Sequence, residues 1–345
     1  MSNTPERLNF PTRQVGRTGL EITTLGLGGA TLAGMMAEVP EDQARATVTR
    51  ALDAGIGYYD TAPQYGFGRS EHVMGDALRW RRPGTVISTK VGRLLAPVRT
   101  EADRVYGHSW VKPLPFDQVY DYSYDGVMRS LEDSLQRLGL ASVEIVYVHD
   151  IGTMTHGEKN AGYWKQLADG GYKALQDLKA NGTIKAIGLG VNEWQVLMDA
   201  FELGDWDVFL LAGRYTLLEQ TSLSPFLETC VKRHASVVCG GPFNGGALMG
   251  TGTWNYAKAP PEIIARVKAL EDFCKQAGVP LGAAALQFPV AHPAMAAVLP
   301  GPKSPAELEG ILDWWQVKIP DAFWTGLADA KLVAPGTPLP NGKTA

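Results

Sequence analysis

Cysteine is scarce: Cys230, Cys239 and Cys274 are the only three in 345 residues, and no two have C-x-x-C spacing. An odd, scattered set builds neither a disulfide framework nor a zinc site, and it suits a reducing compartment. No metal is expected. Long apolar runs are also missing, and nothing approaches the roughly 18 residues of a membrane helix. The opening stretch MSNTPERLNF lacks the basic-then-apolar pattern of a signal peptide, so a cytoplasmic protein with no membrane partner is expected. Positive charge is not in surplus either. Against 36 Asp and Glu stand 32 Lys and Arg, a net charge of −4, which gives nucleic acid no basic surface. Any anionic ligand must be met by local groups. What is present is 45% hydrophobic residues, enough for a large core without staples.

That apolar content is distributed in a rhythm. Eight β-rich runs recur: Thr23–Gly28, Ile56–Asp60, Thr85–Lys90, Val143–His149, Ala186–Val191, Asp207–Ala212, Ser236–Gly240 and Ala297–Leu299. Several are apolar throughout, as strands buried on both faces must be. Helical patterns fill the intervals at 41–54, 70–79, 125–138, 172–181, 193–202, 222–234, 261–277 and 305–314, with another apolar segment at 281–291. Gly55, Gly139 and Gly182 stop three of the helices. Strict alternation demands a parallel sheet, and eight units close it into an α/β barrel, the (β/α)8 or TIM fold. One domain over residues 1–345 is expected, with the barrel core at about 23–314. Ahead of it, Gln14–Ile22 carries the turn signal Val15-Gly16-Arg17-Thr18-Gly19-Leu20, a hairpin placed to plug one barrel end. Residues 92–124, after the third strand, and 241–260, after the seventh, are far longer than ordinary connections. They carry Tyr106, His108, Trp110, Phe116, Tyr120 and Tyr122 in the first, and Phe243, Trp254 and Tyr256 in the second. Trp110, Tyr122 and Trp254 are expected as substrate walls; the alternative is that these rings glue the loops to the barrel.

Ionisable residues punctuate the strand ends. Asp60 ends the second strand and Tyr65 follows in DTAPQY; Lys90 ends the third and His149 the fourth. Each alone has a bland reading, such as a turn cap or a solvent-facing amine. Three strands delivering them to one barrel face point to carbonyl reduction by hydride transfer. Charge grows on the carbonyl oxygen as hydride arrives, and a proton must follow. A phenol of ordinary pKa about 10 gives it reluctantly. A neighbouring ammonium, here Lys90, steadies the phenolate, and Asp60 would hold that ammonium charged. A neutral His149 can donate a hydrogen bond to the developing oxyanion. Tyr65 and His149 would thus also touch substrate.

These residues, in GIGYYDTAPQYGFGRSE, ISTKVG and VYVHD, resemble the aldo-keto reductase superfamily over roughly residues 14–314. The stretches LGVNEW, LLAGRYTLLEQ and GGPFNGGALMG are similar to its branch of aldose and pyridoxal dehydrogenases. The resemblance implies an NAD(P)-dependent oxidoreductase acting on a sugar-like aldehyde or aldose. Tyr65 would be general acid/base, Lys90 and Asp60 its tuning pair, and His149 the substrate-orienting group. A pyridoxal-type aromatic aldehyde or alcohol, a regulatory NADP-binding subunit, and a barrel of hydrolytic or isomerase chemistry stay open as alternatives. Oligomeric state is not legible.

The same resemblance lays a dinucleotide across the barrel mouth. It would pass Gly29, Ala30 and Thr31, then Asp60, with Asn192 at the nicotinamide carboxamide and Gly241, Pro242, Phe243 and Asn244 along the pyrophosphate. After the last strand, Gly301 leads to Lys303 and Ser304 at a helix start, whose exposed N–H groups suit a phosphate. That favours NADP(H), with NAD(H) open. An ordinary turn with Ser304 as N-cap and Pro305 at N1 fits equally well. Three departures stand out: Glu307 beside the phosphate position, Gly310-Ile311 in place of a Glu-Asn pair, and Gly240 in place of an aromatic residue that stacks on the nicotinamide, for which Tyr215 is the replacement considered.

Overall fold

The computed structural model describes residues 7–80, 84–255 and 257–345; Tyr256 lies outside them. A short hairpin, β1 (Thr12–Gln14) and β2 (Glu21–Thr23), comes first. The alternating units follow: β3 (Leu27–Gly28), α1 (Glu41–Ala54), β4 (Tyr58–Asp60), α2 (Arg69–Leu78) and β5 (Val86–Val91). A second hairpin, β6 (Arg93–Pro97) with β7 (Phe116–Tyr120), precedes α3 (Tyr124–Leu138) and β8 (Ile145–His149). Then come α4 (Thr153–His156), α5 (Asn160–Gln166), α6 (Tyr172–Ala180), β9 (Ala186–Val191), α7 (Gln195–Leu203), β10 (Val208–Ala212), α8 (Glu228–Arg233) and β11 (Ser236–Gly240). The chain ends through β12 (Thr253–Trp254), β13 (Ala257–Lys258), α9 (Pro261–Ala277), α10 (Leu281–Gln287), β14 (Met295–Leu299), α11 (Pro305–Gln316) and α12 (Asp321–Asp329).

Eight strands form one parallel sheet in the order β14-β11-β10-β9-β8-β5-β4-β3. Its edges meet: Leu25 bridges Val298 in parallel, the Val298 N–H donates to the Thr24 carbonyl at 2.9 Å, and the Gly28 N–H donates to the Pro300 carbonyl at 3.0 Å. The sheet is therefore a closed cylinder, as the eightfold alternation requires. Closure also explains the shortened first strand. Thr23 belongs to the hairpin, and only Leu27 and Gly28 pair with β4.

The hairpin plugs the amino-terminal end. Val15, Leu20 and Ile22 join a buried cluster with Tyr58, Tyr147, Val208 and Val238 from the barrel interior. The Gly16 N–H donates to Ser236 Oγ at 2.8 Å, and a Cβ on Gly16 would lie 2.6 Å from the Asp207 carbonyl. Only glycine, at φ 51°, lets the turn sit this close.

Outside the cylinder, α1 buries Ala44, Val48 and Ala51 and ends on Gly55 at φ 98°. α3 starts on Ser123, whose hydroxyl accepts the Gly126 N–H at 3.1 Å. The helix expected at 222–234 is interrupted at Ser224, which is extended (φ −130°, ψ 137°) because Pro225 follows. α12 was not anticipated. It buries Phe323, Trp324 and Leu327 after the last barrel unit. No helix among the described residues is long and apolar enough to cross a membrane.

Candidate active site

The carboxyl ends of β4, β5 and β8 deliver the expected residues to one place. Asp60 and Lys90 are buried, at 3% and 1% exposure. Lys90 Nζ donates to Asp60 Oδ2 at 2.7 Å and to the Thr61 carbonyl at 2.9 Å. Ser88 Oγ donates to the other carboxylate oxygen at 2.7 Å. Burial pushes the Asp60 carboxyl up and the Lys90 ammonium down, and each draws the other back. Room for the lysine stem comes from Gly190 on β9, where a Cβ would stand 3.2 Å from Lys90 Cε.

Tyr65, on the turn after β4, lays its ring over this pair, with Lys90 Nζ 4.5 Å from the ring centroid. The His149 ring meets Tyr65 edge-on at 5.7 Å, and Trp110 packs on the other side at 5.8 Å. Trp110 is held there by a bridge to Met35, so the tip of the long third loop closes onto the loop after β3. His149 is 4% exposed, and its Nδ1 has no hydrogen-bond partner. Burial first, then the charges of Arg93 and Lys90, hold its pKa well below the usual imidazole value. The ring is therefore neutral at physiological pH, as a donor to an oxyanion must be.

The remaining expectations divide. Gly29–Thr31 and Gly301–Ser304 lie against each other across the closing seam, where Thr31 Oγ1 donates to the Pro302 carbonyl at 3.2 Å. Asn192 ends β9 beside His149, and its Nδ2 donates to Asp150 at 3.2 Å. Asn244 is buried, and its side chain is engaged by Gly213 and Thr216 at 3.0 and 2.6 Å. Pro242 is buried, Gly241 is open, and Phe243 packs edge-on against Trp314 at 6.0 Å.

Two expectations are corrected. Tyr122 is fully buried; its hydroxyl donates to the His149 carbonyl at 2.8 Å and meets His156 at 2.9 Å, so it stands behind the site rather than in it. Tyr215 stacks on Phe288 at 5.6 Å and meets His292 at 5.3 Å beneath α10, and it offers no face at the mouth. Trp254 lies apart from Tyr65. With Asn192, Arg214 and Asn255 it lines a cavity of about 720 Å³ on the β9–β11 side. Arg93 and Asp150 were missed altogether. They form a second ion pair at 2.5 Å, with Arg93 buried and Asp150 partly so, and the only signal was a charged residue close behind each of two strands.

The neutral histidines bear on stability. His149 is held well below its ordinary value, and His292, buried with Nδ1 accepting the Ala294 N–H at 3.1 Å, is pushed down to about 4. The unfolded chain takes up these protons near pH 6.5 while the folded chain does not. Stability is then full above that pH and lost as pH falls towards 4. At pH 5, His292 alone should account for about 2 kcal/mol of loss. Denaturant melts at pH 7 and pH 5 check this, and His292→Gln should flatten the slope; a slope unchanged in that variant removes His292 as a cause.

A closed parallel barrel with Asp60, Tyr65, Lys90 and His149 gathered at its carboxyl mouth is the architecture of a barrel oxidoreductase. Comparison with known proteins names the class: residues 24–331 match the model of the aldo/keto reductase family, to which this chain belongs. It is an NAD(P)-dependent oxidoreductase of the aldo-keto type, which sets aside the hydrolase or isomerase barrel. It is 46% identical over 338 residues to a pyridoxal 4-dehydrogenase of Microbacterium luteolum, covering 93% of this chain and 98% of that protein. It is 34% identical over 323 residues to a D-threo-aldose 1-dehydrogenase of a Pseudomonas species, covering 91% and 96%. Among solved structures, an aldo-keto reductase from Bacillus halodurans superposes with a TM-score of 0.72 at 22% identity, covering 94% of this chain and 97% of that one.

Proposed function

We propose that the enzyme oxidises a cyclic hemiacetal to a lactone, with Tyr65 as proton acceptor and NAD(H) as cofactor. The observation that carries the chemistry is the Lys90 ammonium 4.5 Å from the Tyr65 ring centroid, itself fixed by Asp60 at 2.7 Å. Aldoses and pyridoxal, the substrates in the two relatives' names, both carry an aldehyde and a hydroxyl that close on each other in water. In the ring form, the anomeric carbon loses a hydride, carrying both electrons, and its hydroxyl loses a proton, so the C–H and O–H bonds break and a C=O forms. Bound nicotinamide supplies the hydride acceptor. Tyr65 takes the proton, Lys90 steadies the phenolate state, and His149 holds the oxygen by a hydrogen bond. Reversed, the same groups reduce the lactone carbonyl back to the hemiacetal.

The donor set at the mouth fits a dinucleotide. Asn192 presents a fixed amide beside His149, and Gly241, at φ 56°, exposes backbone where an added Cβ meets nothing within 4 Å. The fit does not extend to a 2′-phosphate. Glu307 already fills the start of α11: its Oε2 accepts the Lys303 N–H at 2.8 Å, its Oε1 lies 3.7 Å from Lys303 Nζ, and its own N–H donates to Ser304 Oγ at 3.1 Å. Lys303 and Ser304, the grounds for favouring NADP(H), are thus engaged, Lys303 by the Glu307 carboxylate that a phosphate would have to displace and Ser304 by the Glu307 backbone N–H. This geometry supports NAD(H).

The test is a panel of pyridoxal and free aldoses assayed in both directions with both cofactors, read as nicotinamide absorbance. Turnover of pyridoxal or an aldose with NAD+ is expected, and cofactor binding without turnover across the panel overturns the substrate reading. Separately, fluorescence quenching should show NADP+ binding at least about tenfold more weakly than NAD+, or about 1.4 kcal/mol. Glu307→Gln, which keeps the cap and drops the charge, should narrow that gap. Equal affinities in the parent protein overturn the cofactor choice.

A further inference from the structure

The oxyanion side of the site rests on a second charge pair outside the four-residue set. After β5, the chain turns through Gly92 and brings Arg93 inward, at 3% exposure. Arg93 Nη2 donates to Asp150 Oδ2 at 2.5 Å and Nη1 to Gln118 Oε1 at 2.9 Å, while the guanidinium carbon sits 5.3 Å from the Tyr120 ring centroid. Asp150 follows His149 directly, at φ 44°. A non-glycine residue keeps that left-handed backbone only where its contacts outweigh the strain. The Asp150 N–H donates to the Gly190 carbonyl at 2.9 Å, Oδ1 accepts Asn192 Nδ2 at 3.2 Å, and Oδ2 lies 3.6 Å from His149 Nε2.

One carboxylate therefore reaches two groups whose orientation matters. An ionised carboxylate only accepts hydrogen bonds. By accepting from Asn192 Nδ2 at 3.2 Å, it fixes which way round that amide sits. By standing near His149 Nε2, it repels a lone pair there and favours the tautomer with the proton on Nε2. The other groups facing this ring are the Lys90 ammonium, the Arg93 guanidinium and the edge of Tyr65, with the Tyr122 hydroxyl at the His149 carbonyl. Both cations oppose a third positive charge, so the ring stays neutral while Asp150 selects its proton's place.

We propose that Asp150, held in place by Arg93, is a positioning residue that sets the His149 tautomer and the Asn192 amide together. This rests on the reading of His149 as hydrogen-bond donor to the reacting oxygen. It makes the oxygen-holding and cofactor-holding sides of the site one unit, so that damage to Asp150 is felt in both.

The first test needs no variant. Nitrogen NMR of ring-labelled protein should show His149 protonated on Nε2 at neutral pH, and an Nδ1-protonated ring overturns the proposal. The second is Asp150→Asn, which cannot accept from both sides. Its kcat should fall at least about tenfold, in line with other carboxylates that orient a catalytic imidazole, and NAD+ affinity measured by fluorescence should fall several-fold in the same protein. Arg93→Lys, which keeps the charge, should retain the tautomer and part of both quantities. A folded Asp150→Asn protein with unchanged kcat, or with NAD+ affinity unmoved, sinks the coupling. Failure of the parent reading looks different, because a wild-type rate in Tyr65→Phe removes the site assignment whatever the histidine ring does.

Discussion

Replacing Tyr65 with Phe should lower kcat by about three orders of magnitude or more, within the range for loss of a general acid/base. NAD+ affinity and thermal stability should barely move. The separation follows from what each part of the side chain does. The ring makes the packing contacts, edge-on to His149 at 5.7 Å, against Trp110 at 5.8 Å, and under the Lys90 ammonium at 4.5 Å. Phenylalanine keeps all three. The hydroxyl alone moves the proton, and none of the neighbours can replace it. His149 has its pKa pulled far down by burial and two cations, so it is a poor proton store at neutral pH. Lys90 has its ammonium tied to Asp60 and the Thr61 carbonyl. Rates for hemiacetal oxidation and lactone reduction should fall together, because one proton site serves both directions. A Tyr65→Phe enzyme that turns over like the parent would remove Tyr65 as proton donor, and with it the role assigned to Lys90.

The barrel and the four-residue set were legible because they follow from local rules. Strands buried on both faces must be apolar throughout, so a run such as Ile145–Val148 that ends in His149 marks both a strand and the place where it opens to a site. Loop geometry is different, since nothing local fixes which side of a loop faces inward. Tyr122 and Trp110 belong to the same long connection, yet a hairpin of five paired residues, with Arg93 opposite Tyr120, sends one behind His149 and the other onto Tyr65. The Arg93–Asp150 pair was hidden for a related reason, since its partners are 57 positions apart and meet only because β5 and β8, which end just before them, pair side by side. At α11, motif and structure diverge more subtly. Lys303 and Ser304 are where a phosphate-binding pair was expected, but Glu307, one helical turn on, accepts the Lys303 N–H with its carboxylate and donates its own N–H to Ser304 Oγ.

Lys90 and Asp60 should show the second large effect, in stability as well as rate. Changing Lys90 to Met strands the Asp60 carboxylate, 3% exposed, with the Ser88 hydroxyl still donating to it at 2.7 Å. Stranding one partner of a buried pair typically costs about 3–5 kcal/mol. Spread over a chain of this length, that is a fall of about 4–7 °C in Tm. Turnover should fall by about two to three orders of magnitude, because the phenolate loses its adjacent cation. Asp60→Asn combined with Lys90→Met discriminates between the two effects. It removes both charges, while the Asn side chain can still accept from Ser88, so Tm should recover most of the loss. Activity should not recover, since no ammonium lies beneath the Tyr65 ring. Calorimetry and steady-state rates on the three variants check both halves. If the double variant regains activity along with stability, the pair is only a structural prop and Tyr65 draws its reactivity from elsewhere. If it regains neither, the polar chain below matters more than the charge. That chain runs from Tyr147 through Tyr58 to Ser88 at 3.0 and 3.1 Å and then to Asp60, so a neutral amide at position 60 would then be failing to anchor it.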